Sequence, residues 1–126
     1  MPFFSPDGQS IGFFVLGQLR RVPITGGTPQ VINSQTFWVS RGMSWAPDGT
    51  IYFAPGLGDG LWSVPAAGGS ARRITVPDVA RGENSHRWPQ ALPDGEHVLF
   101  TIRTTQIRSF DPTAKETVFF PRLVGG

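Results

Sequence analysis

Apolar residues recur at every second position in short runs along the chain. Ile11, Phe13 and Val15 lie on one side of the first run, and the runs 50–54 and 96–102 show the same pattern. A period of two is typical of a β-strand, here with one strongly buried face. Twelve prolines and 16 glycines interrupt the apolar runs, which leaves no room for a long helix. The pattern therefore predicts an all-β chain.

The same tripeptide, Pro-Asp-Gly, precedes each of these runs. It occupies residues 6–8, 47–49 and 93–95, at steps of 41 and 46 residues. Proline fixes the φ angle of a turn's second position, and glycine supplies the left-handed conformation that closes a short hairpin loop. Because the turn and its flanking strands recur in the same order, the chain is predicted to be an array of one supersecondary unit.

Each unit is predicted to contain four antiparallel strands, which is the content of a propeller blade. A third strand is expected at 18–24, 60–66 and 106–111, and a fourth at 28–33, 70–75 and 116–120. We therefore predict an all-β β-propeller of three four-stranded antiparallel blades in one domain, 1–126, with blades at about 1–34, 41–76 and 86–122. The alternative is a single β-sandwich, but a sandwich does not require three copies of one set of landmarks.

Three blades are too few to close a ring, because propellers typically need about four to eight. An open arc exposes apolar sheet faces at both ends, which favours association. The sequence therefore predicts either a fragment of a longer protein or an assembly of several chains. The expected assembly is a homodimer, in which a second chain completes a ring of about six blades.

The repeat carries a resemblance to a known family. Ser5-Pro6-Asp7-Gly8 and Ala46-Pro47-Asp48-Gly49, each followed by Ile-x-Phe, resemble the WD-type Pro-Asp-Gly repeat of TolB-like and tricorn-like propellers. Segments 61–69 and 86–100 resemble propeller segments that follow bacterial serine/threonine kinase domains. The resemblance implies a bacterial protein with a six- or seven-bladed ring used for protein contact, sensing or ligand docking. The chain has no glycine-rich loop or catalytic Asp motif, so kinase activity is not implied.

Composition narrows the possible functions. Eleven basic and nine acidic residues give a net charge of +2, which is too mild to predict nucleic-acid binding. Without cysteine, the chain has no disulfide framework, thiolate metal site or cysteine nucleophile. It has neither the long apolar run of a transmembrane helix nor the charged start of a signal peptide. No cofactor and no membrane partner is predicted, and the sequence leaves the cellular compartment open.

The densest polar cluster precedes the first strand of the third blade. It surrounds His86 in a predicted loop, and such loops line the mouth of a propeller's central channel. Aligning the turns superposes Arg41 on Arg87, and two arginines there are suited to an anionic ligand. The alternative is that both arginines tie neighbouring blades together through backbone carbonyls. With exposed tryptophans added as binding platforms, the predicted binding residues are Arg41, Glu83, His86, Arg87, Trp88 and Trp38.

An enzymatic function is the weaker interpretation. His86, Glu83, Asp59 and Asp78 are available as metal ligands, especially where two chains meet, but no His-x-His or His-Glu-x-x-His spacing supports a site. Ser44 and Ser85 lack a Gly-x-Ser-x-Gly elbow. We therefore predict a non-enzymatic propeller module that binds a protein or small ligand at the channel mouth, with no catalytic residue. The alternative is a small metal-dependent propeller hydrolase with its site at the channel or chain interface.

Overall fold

Short extended segments joined by tight turns build this chain. The computed structural model describes residues 2–34, 41–56, 58–104 and 115–121. In these ranges all regular structure is β-strand except one 3₁₀ turn, Val79–Arg81, which confirms the all-β prediction. No helix in the described ranges is long and apolar enough to cross a membrane.

The first two sheets are four-stranded antiparallel meanders in which each strand pairs with the next one along the chain. The first sheet contains β1 (Phe3–Phe4), β2 (Ser10–Val15), β3 (Gln18–Pro23) and β4 (Gln30–Asn33). The second sheet contains β5 (Met43–Trp45), β6 (Thr50–Phe53), β7 (Trp62–Pro65) and β8 (Arg72–Arg73). Their order agrees with the two repeats read from the sequence.

The third sheet departs from the predicted strand assignment. Its described strands are β9 (Glu83–Ala91), β10 (His97–Thr104) and β11 (Lys115–Pro121), with β10 in the middle. The segment predicted as the fourth strand, 116–120, does form a strand, but it pairs directly with the second strand of its unit, so the predicted pairing order is wrong. In the register, Phe120 stands opposite Val98 and Val118 opposite Phe100. The predicted third strand, 106–111, lies outside the described residues.

The Pro-Asp-Gly turns form as predicted. Gly8, Gly49 and Gly95 have φ angles of 70°, 88° and 70°, and each donates its N–H to the carbonyl three residues earlier. In every copy the aspartate accepts the backbone N–H two residues on, at 2.9, 3.0 and 2.8 Å for Asp7, Asp48 and Asp94. The recurring tripeptide thus encodes one turn geometry three times.

Two hydrophobic layers join the three sheets, one between the first and second and the other between the second and third. Ile51 and Phe53 of β6 belong to the layer shared with the first sheet, which includes Leu19. The alternate residues, Tyr52 and Ala54, belong to the layer shared with the third sheet. The members of that second layer are Ala46, Tyr52, Ala54, Leu61, Val98, Phe100 and Ile102. Because successive strand residues point to opposite faces, β6 is buried on both sides.

Among the described residues, a neighbouring sheet covers only one side of the first sheet. Ile11, Phe13 and Val15, expected to form a strongly buried face, are half-buried, whereas Gly12 is buried and Phe14 packs against the layer shared with the second sheet. The expectation was wrong about which face is covered, because the single neighbouring sheet lies on the opposite side. The Ile-x-Phe face of this first sheet has no sheet against it among the described residues.

Candidate functional site

The segments that carry the two aligned arginines run side by side. The N–H of Trp88 donates a hydrogen bond to the carbonyl of Arg41 at 2.7 Å. Arg41 precedes β5 and Arg87 lies within β9. Both therefore lie several residues before the Pro-Asp-Gly turn of their own sheet. The predicted loop at 83–87 is instead the first half of β9. Sequence alignment therefore identified residues that meet in the structure, although it assigned them to a loop.

Trp88 lies in a β-bulge with an uncommon backbone conformation. Gln90 pairs with Leu99 and Arg87 with Thr101, so Trp88 and Pro89 together oppose a single residue of β10. The φ angle of Trp88 is 55°, in the left-handed region, and its side chain is 45% exposed. A bulky residue held there costs roughly 1 to 3 kcal/mol.

The second sheet has the same left-handed position but a different residue. Gly42 follows Arg41 as Trp88 follows Arg87, and its φ angle is 107°. A Cβ atom on Gly42 would lie 2.8 Å from the Cα and 2.9 Å from the Cε3 of Trp88. Glycine is required at 42 for conformation and for space, and the Trp88 ring lies directly over it.

Arg87, which precedes the bulge, lies near two further arginines, Arg41 and Arg103. Burial lowers the pKa of Arg87, and the positive charges of Arg103 and Arg41 lower it further. The register puts Arg103 opposite Ser85, on the same face as Arg87, whose Nε donates to the buried Ser85 hydroxyl at 2.8 Å. Nε of Arg41 is buried and has no hydrogen-bond partner among the described residues. In the described part of the chain, none of the three forms an ion pair with a carboxylate.

His86 faces the other way and is buried. Its side chain is on the face of β9 that packs against the second sheet, with its ring 5.0 Å from that of Phe100, and the residue is only 4% exposed. Nδ1 lies 2.8 Å from the Thr75 hydroxyl, which accepts the Leu61 N–H at 2.7 Å. Thr75 can therefore donate its proton to Nδ1, leaving the Nε2 proton of His86 for Glu83.

Glu83 completes this buried network. Its carboxylate lies 2.7 Å from Nε2 of His86 and accepts the backbone N–H of Asp78 at 3.0 Å. Burial raises the pKa of Glu83, but hydrogen bonds from His86 and Asp78, with the charges of His86 and Arg81, outweigh it and leave the pKa below its ordinary value. The network joins the second and third sheets, which is a structural role.

The predicted binding residues thus divide into two groups. Arg41, Arg87 and Trp88 lie together, whereas His86 and Glu83 belong to the buried network on the opposite face of β9. Trp38 lies outside the described residues. Sequence analysis missed Arg103 and Gly42. Arg103 was detectable as an arginine on the strand that pairs with the one carrying Arg87, and Gly42 as the residue aligned with Trp88.

The residues considered for hydrolysis do not converge. Within the described ranges, no group of three or more His, Asp or Glu side chains is arranged to hold a metal ion. Asp59 instead pairs with Arg73 at 3.0 Å and accepts the indole N–H of Trp62 at 3.1 Å. The Ser44 hydroxyl accepts the N–H of Ala91. These side chains are engaged in structural contacts.

A shallow cleft of about 210 Å³ lies between the first two Pro-Asp-Gly turns. It is lined by residues that include Asp7, Arg21 and Trp45. Its volume is below the roughly 300 to 1,000 Å³ typical of ligand pockets. Arg21 is already bound there, with its guanidinium 5.0 Å from the Trp45 ring and a hydrogen bond to the carbonyl of Ala66. The cleft is therefore a weaker candidate than the arginine cluster.

Comparison with known proteins identifies the fold. No protein-family model matches the chain, and no curated protein matches it. A solved structure does match, that of a protein from Agrobacterium tumefaciens provisionally named TolB, with a TM-score of 0.66 over 96% of this chain. The chain has a TolB-like propeller fold. Sequence identity is 20%, so the likeness shows the fold alone, and this propeller chain spans half the length of that structure. The suggested link to kinase-associated propellers stays a prediction.

Proposed function

We propose that this propeller segment is a non-enzymatic binding module that holds an anionic group between Arg41, Arg87, Arg103 and Trp88. We call these four residues the arginine–tryptophan site. The observation that carries the proposal is the left-handed tryptophan, at a position where the preceding repeat has glycine. The TolB-like fold supports an interaction role in general, and the site supports the chemistry of the ligand.

The first argument concerns strain. Gly42 and Trp88 occupy equivalent left-handed positions, and glycine adopts that conformation at almost no cost. Trp88 bears the penalty, yet its ring is 45% exposed and recovers only part of the hydrophobic gain of burial. Backbone strain of this kind clusters at functional sites. A role for the Trp88 ring in contact with a partner explains why the strained residue is a tryptophan.

The second argument concerns charge. Arg87 is partly buried and is repelled by Arg41 and Arg103, with no carboxylate nearby in the described residues to offset the repulsion. Among the described residues, the buried Nε of Arg41 has no acceptor, which costs about 1 to 3 kcal/mol. A bound carboxylate or phosphate would offset the repulsion among the three arginines, and guanidinium groups bind such oxygens in a bidentate manner.

The strain at Trp88 and the uncompensated charge of the arginines together define the ligand class. An anionic oxygen group meets the arginines, and an apolar or aromatic body beside it meets the Trp88 ring. Either an acidic segment of a protein partner or a small carboxylate satisfies this description. His86 and Glu83 support the site indirectly, because their network holds β9 against the second sheet.

The test is a titration of defined anions monitored by calorimetry. The probes are citrate, inorganic phosphate, and a glutamate-rich peptide with one phenylalanine, compared with its glutamine analogue. We expect the glutamate peptide or citrate to bind, and Arg87→Ala and Trp88→Gly each to weaken binding at least about tenfold. Arg72→Ala is the matched control, because Arg72 is an exposed arginine on β8. Equal weakening in the control, or no binding of any probe, would contradict the proposal.

A further inference from the structure

The chain builds the same kind of junction twice between neighbouring sheets. At the first, Ile51 and Phe53 of the second sheet join the layer that includes Leu19 of the first. At the second, Val98 and Phe100 of the third sheet join the layer that includes Tyr52 of the second. In both cases the Ile-x-Phe or Val-x-Phe face of a sheet packs against the preceding sheet.

The first sheet carries the same face, and no sheet packs on it among the described residues. Phe4, Ile11 and Val22 stand side by side on β1, β2 and β3, and Phe13 continues the face along β2. Val31 on β4 lies on the same face, and Arg20 of β3 stands between Val31 and Phe13 in the register. Phe4 is 65% and Val31 48% exposed, and neither belongs to the two hydrophobic layers. We call these five apolar residues the leading face.

The third sheet carries the other surface of such a junction, the one that receives a following sheet. Leu99 and Thr101 alternate with Val98 and Phe100 along β10, so they point away from the second sheet, and both are half-buried. They match Tyr52 and Ala54, which receive the next sheet at the internal junction. We call the surface around Leu99 and Thr101 the trailing face.

We propose that the leading face of one copy packs on the trailing face of a second copy, and that this junction forms twice to close a ring. Three observations favour a second copy as the occupant. One chain carries both halves of a junction that it already forms internally twice. Phe4 and Val31 of the leading face are exposed. The chain covers half of the solved TolB-like structure, so a second segment of equal length restores the size of that fold.

Heterologous pairing of this kind closes only if the rotation between copies permits it. A two-fold arrangement covers the leading and trailing faces of both copies at once, whereas pairing leading face to leading face puts no second copy on either trailing face. Arg103 follows Thr101 on the same face, so the junction borders the arginine–tryptophan site. The test therefore changes Phe13 and Leu99 and leaves the arginines untouched.

The experiment measures molar mass by light scattering over a range of protein concentrations. We expect the parent chain to show the mass of two chains, and Phe13→Asp and Leu99→Asp each to show the mass of one. Mixing the two variants should restore a two-chain particle, because one junction then has both faces intact. Leu16→Asp is the matched control and should keep the two-chain mass, since Leu16 is 92% exposed in a turn.

Several outcomes would overturn the proposal. A parent mass of one chain would mean that no second copy covers the leading face. Loss of association in Phe13→Asp but not in Leu99→Asp would indicate leading-face self-pairing. If either aspartate variant fails to fold by circular dichroism, cross-linking decides instead. The chain has no cysteine, so a short bismaleimide should link a mixture of Phe13→Cys and Leu99→Cys chains, and neither variant with itself; any other pattern contradicts the ring.

Discussion

At one pair of equivalent positions the second and third repeats share a positive φ angle but carry different residues, with 107° at Gly42 and 55° at Trp88. Gly42 and Trp88 are both left-handed, and each follows an arginine. At Gly42 the residue serves the fold alone, because only glycine meets both the φ angle and the close approach of Trp88. At Trp88 the fold would be served better by glycine. The comparison separates what the repeat requires from what the third repeat adds.

The glycine side of the comparison predicts the largest effect. Gly42→Ala puts a Cβ atom 2.8 Å from the backbone of Trp88 and forces alanine to a φ angle of 107°. The free energy of unfolding should fall by about 3 kcal/mol. Urea denaturation measures this change, with Gly49→Ala as control, because Gly49 is also left-handed but has nothing within 4 Å of the added atom. Equal losses in both variants would show that the approach of Trp88 is not tight.

The opposite face of β9 predicts the next effect. His86→Ala removes the acceptor of the buried Thr75 hydroxyl proton and one of the donors to the Glu83 carboxylate, while the bonds from the Leu61 and Asp78 N–H groups remain. The free energy of unfolding should fall by roughly 2 to 3 kcal/mol. The variant should still bind the probe, but only below its lowered melting temperature. His97→Ala is the control, since its contact with Asp94 is largely solvent-exposed, and exposed ion pairs contribute about 0 to 1 kcal/mol. A similarly small fall in unfolding free energy in both variants would show that the hydrogen bonds of His86 do not stabilise the fold.

A smaller effect should appear as a dependence on pH. The pKa of Glu83 is below its ordinary value of 4.5, so its charged form stabilises the fold above that pH. This contribution is fully present at neutral pH and is lost as pH falls from about 4.5 through the lower folded value. The stability difference between the parent and Glu83→Gln should therefore shrink on acidification. A difference that stays constant down to pH 3 would show that the charge of Glu83 is not stabilised by the fold.

The fold was largely predictable because the types of residue in its turns specify the turn geometry. Each Pro-Asp-Gly sequence specifies a local turn through proline, an aspartate hydrogen bond and a left-handed glycine, and all three formed. The partner of β10 was misassigned, because 106–111, with Ile107 and Phe110, and 116–120 both carry apolar residues and strand pairing is a non-local choice. Local pattern identifies strands more reliably than it identifies their neighbours.

The site was only half predictable. Alignment of the repeats brought Arg41 and Arg87 together correctly, since equivalent positions in adjacent repeats are neighbours. Nothing in the residue type of Trp88 indicates a left-handed backbone, which tryptophan rarely adopts. The burial of His86 also depends on tertiary contacts with Thr75 and Phe100. Polar residues in one sequence cluster can therefore face opposite sides of a strand.

The most direct test of the account is Trp88→Gly, measured for stability and for binding in the same preparation. Glycine relieves the left-handed strain and forfeits only a half-exposed ring, so unfolding free energy should rise or stay within about 1 kcal/mol of the parent. Binding of the anionic probe should weaken at least about tenfold, because the ring no longer contacts the ligand. A variant that loses several kcal/mol of stability, or that binds like the parent, would contradict the claim that Trp88 is retained for recognition.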